Sequence, residues 1–282
     1  MDTSSNTKNF QIDKWNKGAK GYNKWHDFLE DEFSKVSIRI TELIRKSSNP
    51  ILDIATGYGE PAITIAKLLP CSKVFAIDKS PQMLTIAKEK SKIYELNNIE
   101  FIEADITETH LHKNCYGSIV SRWGIMLFPN LDFILKKVYK SLVKGGKFVA
   151  VVWGQKEKVP LLNIPQTVLG SYDLERFGVK TCCESNGPFS LSNIDKLKEQ
   201  YSKIGFINLY VEKIILTIKI NSLEQYIEGV KELDINPLLS NIDYNTKESI
   251  IKNLKEKVSK YKDNKTGLIT LENEAILISG IK

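Results

Sequence analysis

The sequence predicts an α/β protein with a Rossmann-like, doubly wound sheet of seven mostly parallel strands. Three observations lead to this fold: from Ile51 onward short apolar runs alternate with helical periods, a glycine turn follows the first strand, and acidic residues follow the strands. The 282 residues, 42% of them hydrophobic, can bury a large core. The longest apolar run, Phe148 to Trp153, is far shorter than the roughly 20 residues that span a bilayer. We therefore expect a soluble, cytoplasmic protein without a membrane span.

The first strand, its turn and the helix after it are the most specific part of this pattern. Residues 51–55 are predicted to form a strand, and the turn at 56–59 contains Gly57 and Gly59. A helix is predicted over residues 61–69, because proline is favoured at the first helical position, where the N–H would be unpaired. Glycines let the backbone approach a ligand closely, and the free N–H groups of a helix N-terminus favour an anionic group.

The next elements repeat the alternation of strand and helix up to residue 153. Each strand is a short apolar run, and the helix that starts at Ser80-Pro81 has apolar side chains at helical spacing, such as Met83 and Ala87. The glycines at 145–146 are expected to end the last helix of this region. The predicted strands are residues 73–77, 99–103, 117–121 and 147–153, and the predicted helices start at residue 81 and cover residues 131–142.

Two regions lie outside this regular order. Residues 10–46 are predicted to form two helical segments, with Trp15, Ala19, Tyr22 and His26 on one face. Residues 154–190, which are rich in proline and glycine, are predicted to be a loop-rich lid insertion. The remaining predicted strands are 206–220 and 267–281, and the remaining predicted helices are 192–204, 222–234 and 246–261. The expected organisation is a helical arm at 1–46, a core at 47–153, and a lid with the last helices and strands at 154–282, within one domain.

Acidic residues at the strand ends indicate the kind of ligand. The carboxyl ends of parallel strands meet at one edge of a sheet, so Asp53, Asp78 and Asp105 should line one crevice. Asp78 lies 19 residues after Gly59, where an acid can accept hydrogen bonds from ribose hydroxyls. A carboxylate at Asp53 would repel a pyrophosphate but can hold a cationic amino group. This difference favours S-adenosylmethionine over a dinucleotide.

These residues carry a resemblance to a known family. The run Leu52 to Pro61, with Asp78, Asp105 and the turn at 121–124, resembles class I S-adenosylmethionine-dependent methyltransferases. The resemblance is to the small-molecule branch that includes ubiquinone and menaquinone biosynthesis enzymes (methyltransferase type 11). It is clear from residue 15 to residue 153 and looser beyond. It implies methyl transfer to a small, apolar or aromatic molecule, with the accepting atom open.

The resemblance also implies roles for single residues. It assigns the methionine end of the cofactor to Asp53, Ala55, Gly57, Gly59, Ser121 and Trp123, the ribose to Asp78 with Lys79, and the adenine to Met83, Asp105 and Ile106. Tyr22 would bind the methionine carboxylate or cover the cofactor. Ordinary packing is the alternative for Met83 and Tyr22, and Arg122 would meet either an anionic substrate or a nearby acid. Ala55 stands where the family usually has the first glycine of its loop, and Gly117 where an acidic residue is common.

Methyl transfer from a sulfonium is an in-line displacement, so the protein must chiefly hold the nucleophile and exclude water, without a metal. If the accepting atom needs a base, His26 is the first candidate, because it shares a predicted helix face with Trp15 and Tyr22. His110 and His112 are expected in a surface loop. The expected partner is a small-molecule methyl acceptor, and the oligomeric state stays open.

Three other functions share some of these features. A nucleic-acid or protein methyltransferase is the nearest, but the net charge of +6 is small and the turn at 121–124 lacks an Asn-Pro-Pro-Tyr-like motif. A nicotinamide-dependent oxidoreductase should have a third glycine where Ile63 stands. A non-catalytic cofactor-binding protein is the third alternative function.

The adjacent Cys182 and Cys183 are expected in the lid, and the cysteine spacing favours a reducing compartment.

Overall fold

The computed structural model describes residues 3–47, 50–174, 187–235 and 242–282. Its strands are β1 (Ile51–Ile54), β2 (Val74–Asp78), β3 (Ile99–Glu103), β4 (Tyr116–Arg122), β5 (Leu142–Trp153), β6 (Ile207–Ile220) and β7 (Ile269–Ile281). Its helices are α1 (Thr3–Ile44), α2 (Ala62–Leu68), α3 (Pro81–Ile93), α4 (Leu131–Ser141), α5 (Pro160–Leu169), α6 (Ile194–Ile204), α7 (Leu223–Val230) and α8 (Tyr244–Ser259). Short 3₁₀ turns occupy Ile125–Leu127 and Lys156–Lys158, and a π-helical turn follows α7 at Lys231–Ile235.

The described strands form one seven-stranded sheet in the order β3-β2-β1-β4-β5-β7-β6. The pairs β1–β2, β1–β4, β2–β3 and β4–β5 are parallel, whereas β5 and β7 are antiparallel. The predicted fold class is therefore confirmed. The strand order reverses between β1 and β4, and ligands of open α/β sheets bind at the carboxyl ends of the strands beside such a switch point.

The described residues divide into two compact units. The first contains residues 3–32, 155–174, 215–235 and 242–274, and the second contains 33–47, 50–154, 187–214 and 275–282. The boundary between them falls within α1, β6 and β7. Strands β1 to β5 lie in the second unit, so this unit carries the predicted crevice.

Burial explains the central strands of the second unit. Every residue of β1 and β4 is buried, as expected for parallel strands that are covered on both faces. Side-chain caps set the start of two neighbouring helices: Ser80 Oγ accepts a hydrogen bond from the Met83 N–H, and Asn130 Oδ1 accepts one from the Phe133 N–H. These caps fix where the chain leaves the carboxyl edge of the sheet.

The prediction of two helical segments over residues 10–46 is wrong, because the structure has one helix, α1. Its buried positions run without a break through Trp25, Leu29, Phe33, Val36 and Ile40. This spacing of three or four residues keeps one face of a single helix covered. Asp27 and Asp31 between these positions are exposed, and Glu32 Oε2 accepts a hydrogen bond from the Thr217 N–H, so the acidic residues do not interrupt the helix.

Two further expectations need correction. Strand β5 begins at Leu142, immediately after α4, rather than at residue 147. Gly145 adopts a left-handed φ of 76° inside the strand, and its N–H donates to the Lys282 carbonyl. The glycines therefore shape a strand irregularity instead of ending a helix. The loop-rich region at 154–190 also contains α5, which begins at Pro160 and has Pro165 in its interior.

Some sequence predictions fall outside the described residues. The middle of the predicted lid, with Cys182 and Cys183, is among them, so the lid stays a prediction. No helix within the described ranges is long and apolar enough to cross a bilayer.

Candidate functional site

The turn after β1 combines three residues with left-handed backbone: Ala55 (φ 57°), Gly57 (φ 57°) and Gly59 (φ 104°). A Cβ at Gly59 would lie 2.6 Å from Ile63 Cδ1, so this glycine lets α2 pack closely on the turn. No described atom lies within 4 Å of the place where a Cβ at Gly57 would stand. The space over Gly57 is therefore open to a ligand that approaches the backbone.

Asp78, at the end of β2, holds this turn in place. Its Oδ2 accepts a hydrogen bond from the Gly57 N–H at 2.7 Å, and its Oδ1 accepts one from the Ser80 N–H at 2.9 Å. Burial raises the pKa of the Asp78 carboxyl, and these two amide donors act in the opposite direction. Each carboxylate oxygen has a second lone pair, so Asp78 can also accept hydrogen bonds from ribose hydroxyls.

Asp53 is the most unusual group of the site. It lies in β1 with no solvent exposure, and neither carboxyl oxygen has hydrogen-bond geometry to any residue that the structure describes. The Thr56 hydroxyl, three residues further on, is in the same condition. Burial raises the pKa of Asp53 to about 8, opposed by the Thr56 side chain and by the charge of Arg122. A buried carboxyl without partners is unfavourable, and a cationic ligand group would relieve it.

The turn after β4 closes the other side of the crevice. Ser121 Oγ donates a hydrogen bond to the Ile54 carbonyl at 2.9 Å, which joins the ends of β4 and β1. A Cβ at Gly124 would stand 2.6 Å from Ser121 Oγ and 2.7 Å from Ala55 Cβ. The two turns are therefore in direct contact, and only glycine fits at position 124.

Trp123 lies within this second turn, in a left-handed conformation with a φ of 57°. Its indole stacks on Trp153 with ring centroids 4.6 Å apart and planes 14° from parallel, and its centroid is also 4.6 Å from that of Phe33. The three rings, which we call the aromatic wall, all belong to the second unit. The resemblance did not point to Phe33 or Trp153.

Arg122 is the residue whose role the sequence left open. It is buried, and its Nη1 donates to Ser37 Oγ (3.0 Å) and to the Phe33 carbonyl (3.3 Å), while Nη2 donates to the Tyr58 hydroxyl (3.0 Å). The guanidinium thus connects α1 to the turn after β1. The structure favours the structural alternative for Arg122, with Tyr58 and Ser37 as partners that no sequence motif indicated.

The residues assigned to the adenine surround the end of β3. Asp105 Oδ1 accepts hydrogen bonds from the N–H and the hydroxyl of Thr107, and Lys137 Nζ donates to the Ile106 carbonyl at 2.6 Å. Ile106 and Met83 are buried, whereas Lys79 is half-buried. Thr107 and Lys137 shape this loop through contacts that the sequence pattern does not contain.

Tyr22 and His26 belong to the first unit, so their assigned roles stay predictions. The rings of Trp15 and Tyr22 are 5.6 Å apart, which agrees with a common helix face. His26 Nδ1 lies 2.9 Å from Asp27 Oδ1. His110 and His112, in the second unit, are exposed and have ring centroids 5.9 Å apart.

Comparison with known sequences identifies the core. Residues 45–170 match the sequence profile of a methyltransferase domain. The demethylmenaquinone methyltransferase of Thermus thermophilus is 29% identical over 108 residues, which cover 38% of this chain and 49% of that one. The ubiquinone/menaquinone biosynthesis C-methyltransferase UbiE of Sinorhizobium fredii is 26% identical over 157 residues, 54% of this chain and 60% of that one. The chain thus spans about half the length of these curated relatives.

Solved structures agree on the fold. Phosphoethanolamine N-methyltransferase 2 of Haemonchus contortus, in complex with phosphomonomethylethanolamine and S-adenosylhomocysteine, matches with a TM-score of 0.55 at 19% identity, over 95% of this chain and 57% of that one. The YcgJ protein of Bacillus subtilis matches with a TM-score of 0.56 at 17% identity, over 87% of this chain and 97% of that one. These structures share the Rossmann-like fold of this chain. The match of residues 45–170 to a methyltransferase domain agrees with the resemblance found in the sequence.

Proposed function

We propose that this protein transfers a methyl group from S-adenosylmethionine to a small, apolar or aromatic molecule. The buried carboxyl of Asp53, which forms no well-formed hydrogen bond within the described ranges, carries the proposal, because a cationic amino group is the ligand chemistry that satisfies such an acid. The open space over Gly57 and the carboxylate of Asp78 fit the rest of an amino-acid nucleoside. The relatives named above support the reaction type.

In this proposal the amino group of the cofactor lies at Asp53 and its ribose at Asp78. Ala55, Gly57 and Gly59 offer backbone to the methionine end, and Ser121 holds the two turns together. Lys79, Met83, Asp105 and Ile106 line the nucleoside end. The bound cofactor supplies an activated methyl group on a sulfonium, so what remains for the chain is orientation of the acceptor and exclusion of water.

The acceptor and the base are further parts of the proposal. The aromatic wall of Phe33, Trp123 and Trp153 supports an apolar or aromatic acceptor, since such rings pack on flat apolar groups. We assign the base to His26 and a covering role to Tyr22, for acceptors whose atom must lose a proton. We also place the protein in the cytoplasm, which the cysteine spacing supports.

The test is a calorimetric titration of the purified protein with S-adenosylhomocysteine, with NADH as the control ligand. We expect micromolar binding of S-adenosylhomocysteine and none of NADH. The variant Asp53→Asn, which keeps the size of the side chain but removes its charge, should weaken binding at least tenfold. Binding of NADH alone, or of neither ligand, would contradict the proposal.

A further inference from the structure

The indole N–H of Trp123 is a buried hydrogen-bond donor at the edge of the cofactor site. Nε1 is inaccessible to solvent, and none of the residues that the structure describes accepts a hydrogen bond from it. The rest of the side chain is partly exposed. Buried donors in native proteins nearly always have a partner, so an unpartnered one at a ligand-binding edge points to a group that the ligand brings.

The position of this N–H is fixed by the surrounding chain. The backbone N–H of Trp123 donates to the Val151 carbonyl at 2.8 Å, and its φ is left-handed at 57°. The next residue, Gly124, packs so closely on Ser121 and Ala55 that a Cβ there would clash with both. The ring is held in the stack with Trp153. A bulky residue keeps such a backbone conformation only where the surroundings determine it, and such positions cluster at ligand sites.

The chemistry beside the N–H identifies the kind of ligand. In the proposed function the amino group of the cofactor lies at Asp53 and its ribose at Asp78. The methionine carboxylate is the cofactor group that competes for this donor, because the resemblance assigns Trp123 to the methionine end. Trp123 belongs to the aromatic wall, which therefore offers a ligand apolar ring faces together with this N–H donor. A ring compound with an oxygen that accepts a hydrogen bond matches both properties, and a wholly hydrocarbon ring matches only one.

We propose that Trp123 is a specificity-determining residue, whose indole N–H donates a hydrogen bond to a carbonyl or deprotonated hydroxyl oxygen on the ring of the methyl acceptor. The assignment rests on the proposed function. Because Nε1 is inaccessible in this structure, the oxygen of a ligand that contacts the exposed part of the indole reaches it only when neighbouring atoms move. Sites built to hydrogen-bond an oxygen reject analogues that lack it, because the buried donor is then left without a partner.

The experiment uses two probes that differ in one group, 1-tetralone and its hydrocarbon analogue tetralin. Their dissociation constants are measured on the full chain saturated with S-adenosylhomocysteine. We expect 1-tetralone to bind at least tenfold more tightly than tetralin. In Trp123→Phe, which keeps an aromatic ring but lacks the N–H, this preference should fall to about twofold or less. A change of less than twofold in the affinity for S-adenosylhomocysteine would separate this role from the contact with the methionine end that the resemblance assigns to Trp123.

The matched control is Trp153→Phe, which removes the same volume from the same stack and should keep the preference for 1-tetralone. Trp123→Met, which also lacks the N–H, is measured in parallel in case the phenylalanine variant fails to fold. An unchanged preference in both Trp123 variants, an equal loss in Trp153→Phe, or no binding of either probe would overturn the assignment.

Weaker S-adenosylhomocysteine binding in the Trp123 variants alone would place the N–H on the cofactor instead. Failure of the unaltered protein to bind S-adenosylhomocysteine would overturn the proposed function itself.

Discussion

At the scale of single residues, Asp53 is a predicted functional group whose burial lowers the stability of the folded protein once the carboxyl ionises. Its buried carboxyl has no well-formed hydrogen bond to a residue that the structure describes, and its pKa of about 8 lies far above the ordinary value of 3.8. The protonated form therefore favours the folded state at low pH. This contribution is lost as the pH rises from 3.8 toward 8, because only the unfolded chain ionises freely in that range.

We expect the variant Asp53→Asn to remove this pH dependence. Between pH 5 and pH 8 the unaltered protein should lose stability relative to the variant by up to roughly 1.4 kcal/mol per pH unit. The measurement is chemical denaturation of both proteins at several pH values without ligand. A constant difference between them from pH 5 to pH 8 would show that Asp53 is ionised in the folded protein.

Asp78 provides the second test at this scale. The variant Asp78→Ala removes a carboxylate that holds the Gly57 and Ser80 N–H groups and, in the proposed function, the ribose. Charge-assisted hydrogen bonds are the strong ones, so we expect the affinity for S-adenosylhomocysteine to fall more than tenfold in calorimetry. Asp105→Ala, which removes the contacts to Thr107, is the comparison. Unchanged affinity in Asp78→Ala would refute the ribose role.

At the scale of elements, contacts between distant segments decide how the crevice is built. Arg122 connects α1 to Tyr58 in the first turn, and Ser121 and Gly124 connect the second turn to the end of β1. Each connection joins segments that are 64 or more residues apart in the chain. The two turns and the C-terminal half of α1 thus form one packed group.

The variant Arg122→Gln should show how much the contact between Arg122 and α1 contributes to the stability of the folded protein. It removes the buried hydrogen bonds from the Arg122 guanidinium to Ser37 and Tyr58, and we expect the free energy of unfolding to fall by about 2 kcal/mol or more, since breaking a buried hydrogen-bond network is strongly destabilising. Thermal unfolding measures it. Ser37→Ala, which removes one of the three partners, should cost less; a larger loss in Ser37→Ala would contradict this account.

Gly124 tests the contact between the two turns. In Gly124→Ala the new Cβ would stand within 2.7 Å of Ser121 Oγ and Ala55 Cβ, so the turns must separate. We expect a lower melting temperature and weaker S-adenosylhomocysteine binding together. Gly187→Ala adds the same methyl group where no described atom lies within 4 Å, and should change neither property. Equal effects of both substitutions would show that the close contact of Gly124 with Ser121 and Ala55 does not determine the melting temperature or the binding of S-adenosylhomocysteine.

At the scale of the whole molecule, the two units divide the predicted site residues. Asp53, Asp78 and Trp123 lie in the second unit, whereas Tyr22 and His26 lie in the first. A ligand that binds the folded state alone stabilises it by about 2.7 kcal/mol at a concentration of 100 times its Kd. Amide hydrogen exchange can locate where this stabilisation acts.

We expect S-adenosylhomocysteine to slow exchange in residues 51–59, 76–83 and 121–124, because the proposed cofactor contacts are there. The roles predicted for Tyr22 and His26 require slower exchange at residues 15–26 as well. The measurement is exchange followed by mass spectrometry, with NADH as the control. Protection confined to segments outside the second unit would contradict the proposed cofactor site.

The sequence alone determined the alternation of strands and helices, the glycine turn, the acids at the strand ends and the cofactor class. These features are local, because each depends on residue types within one strand, turn or helix start. The predicted and observed element bounds agree to within a residue or two where the apolar periods are regular, as in β3. They disagree where a glycine or proline that suggests a break lies inside an element instead, as in β5 and α5.

The tertiary structure decided what depends on residues far apart in the chain. The partners of Arg122, the isolation of the Asp53 carboxyl and the stacking of Trp123 on Trp153 have no signature in sequence spacing. Each depends on tertiary contacts between side chains that are brought together when the two turns pack at the edge of the sheet. Burial and hydrogen bonding result from these contacts, so the chemistry of the site is established only in the folded chain.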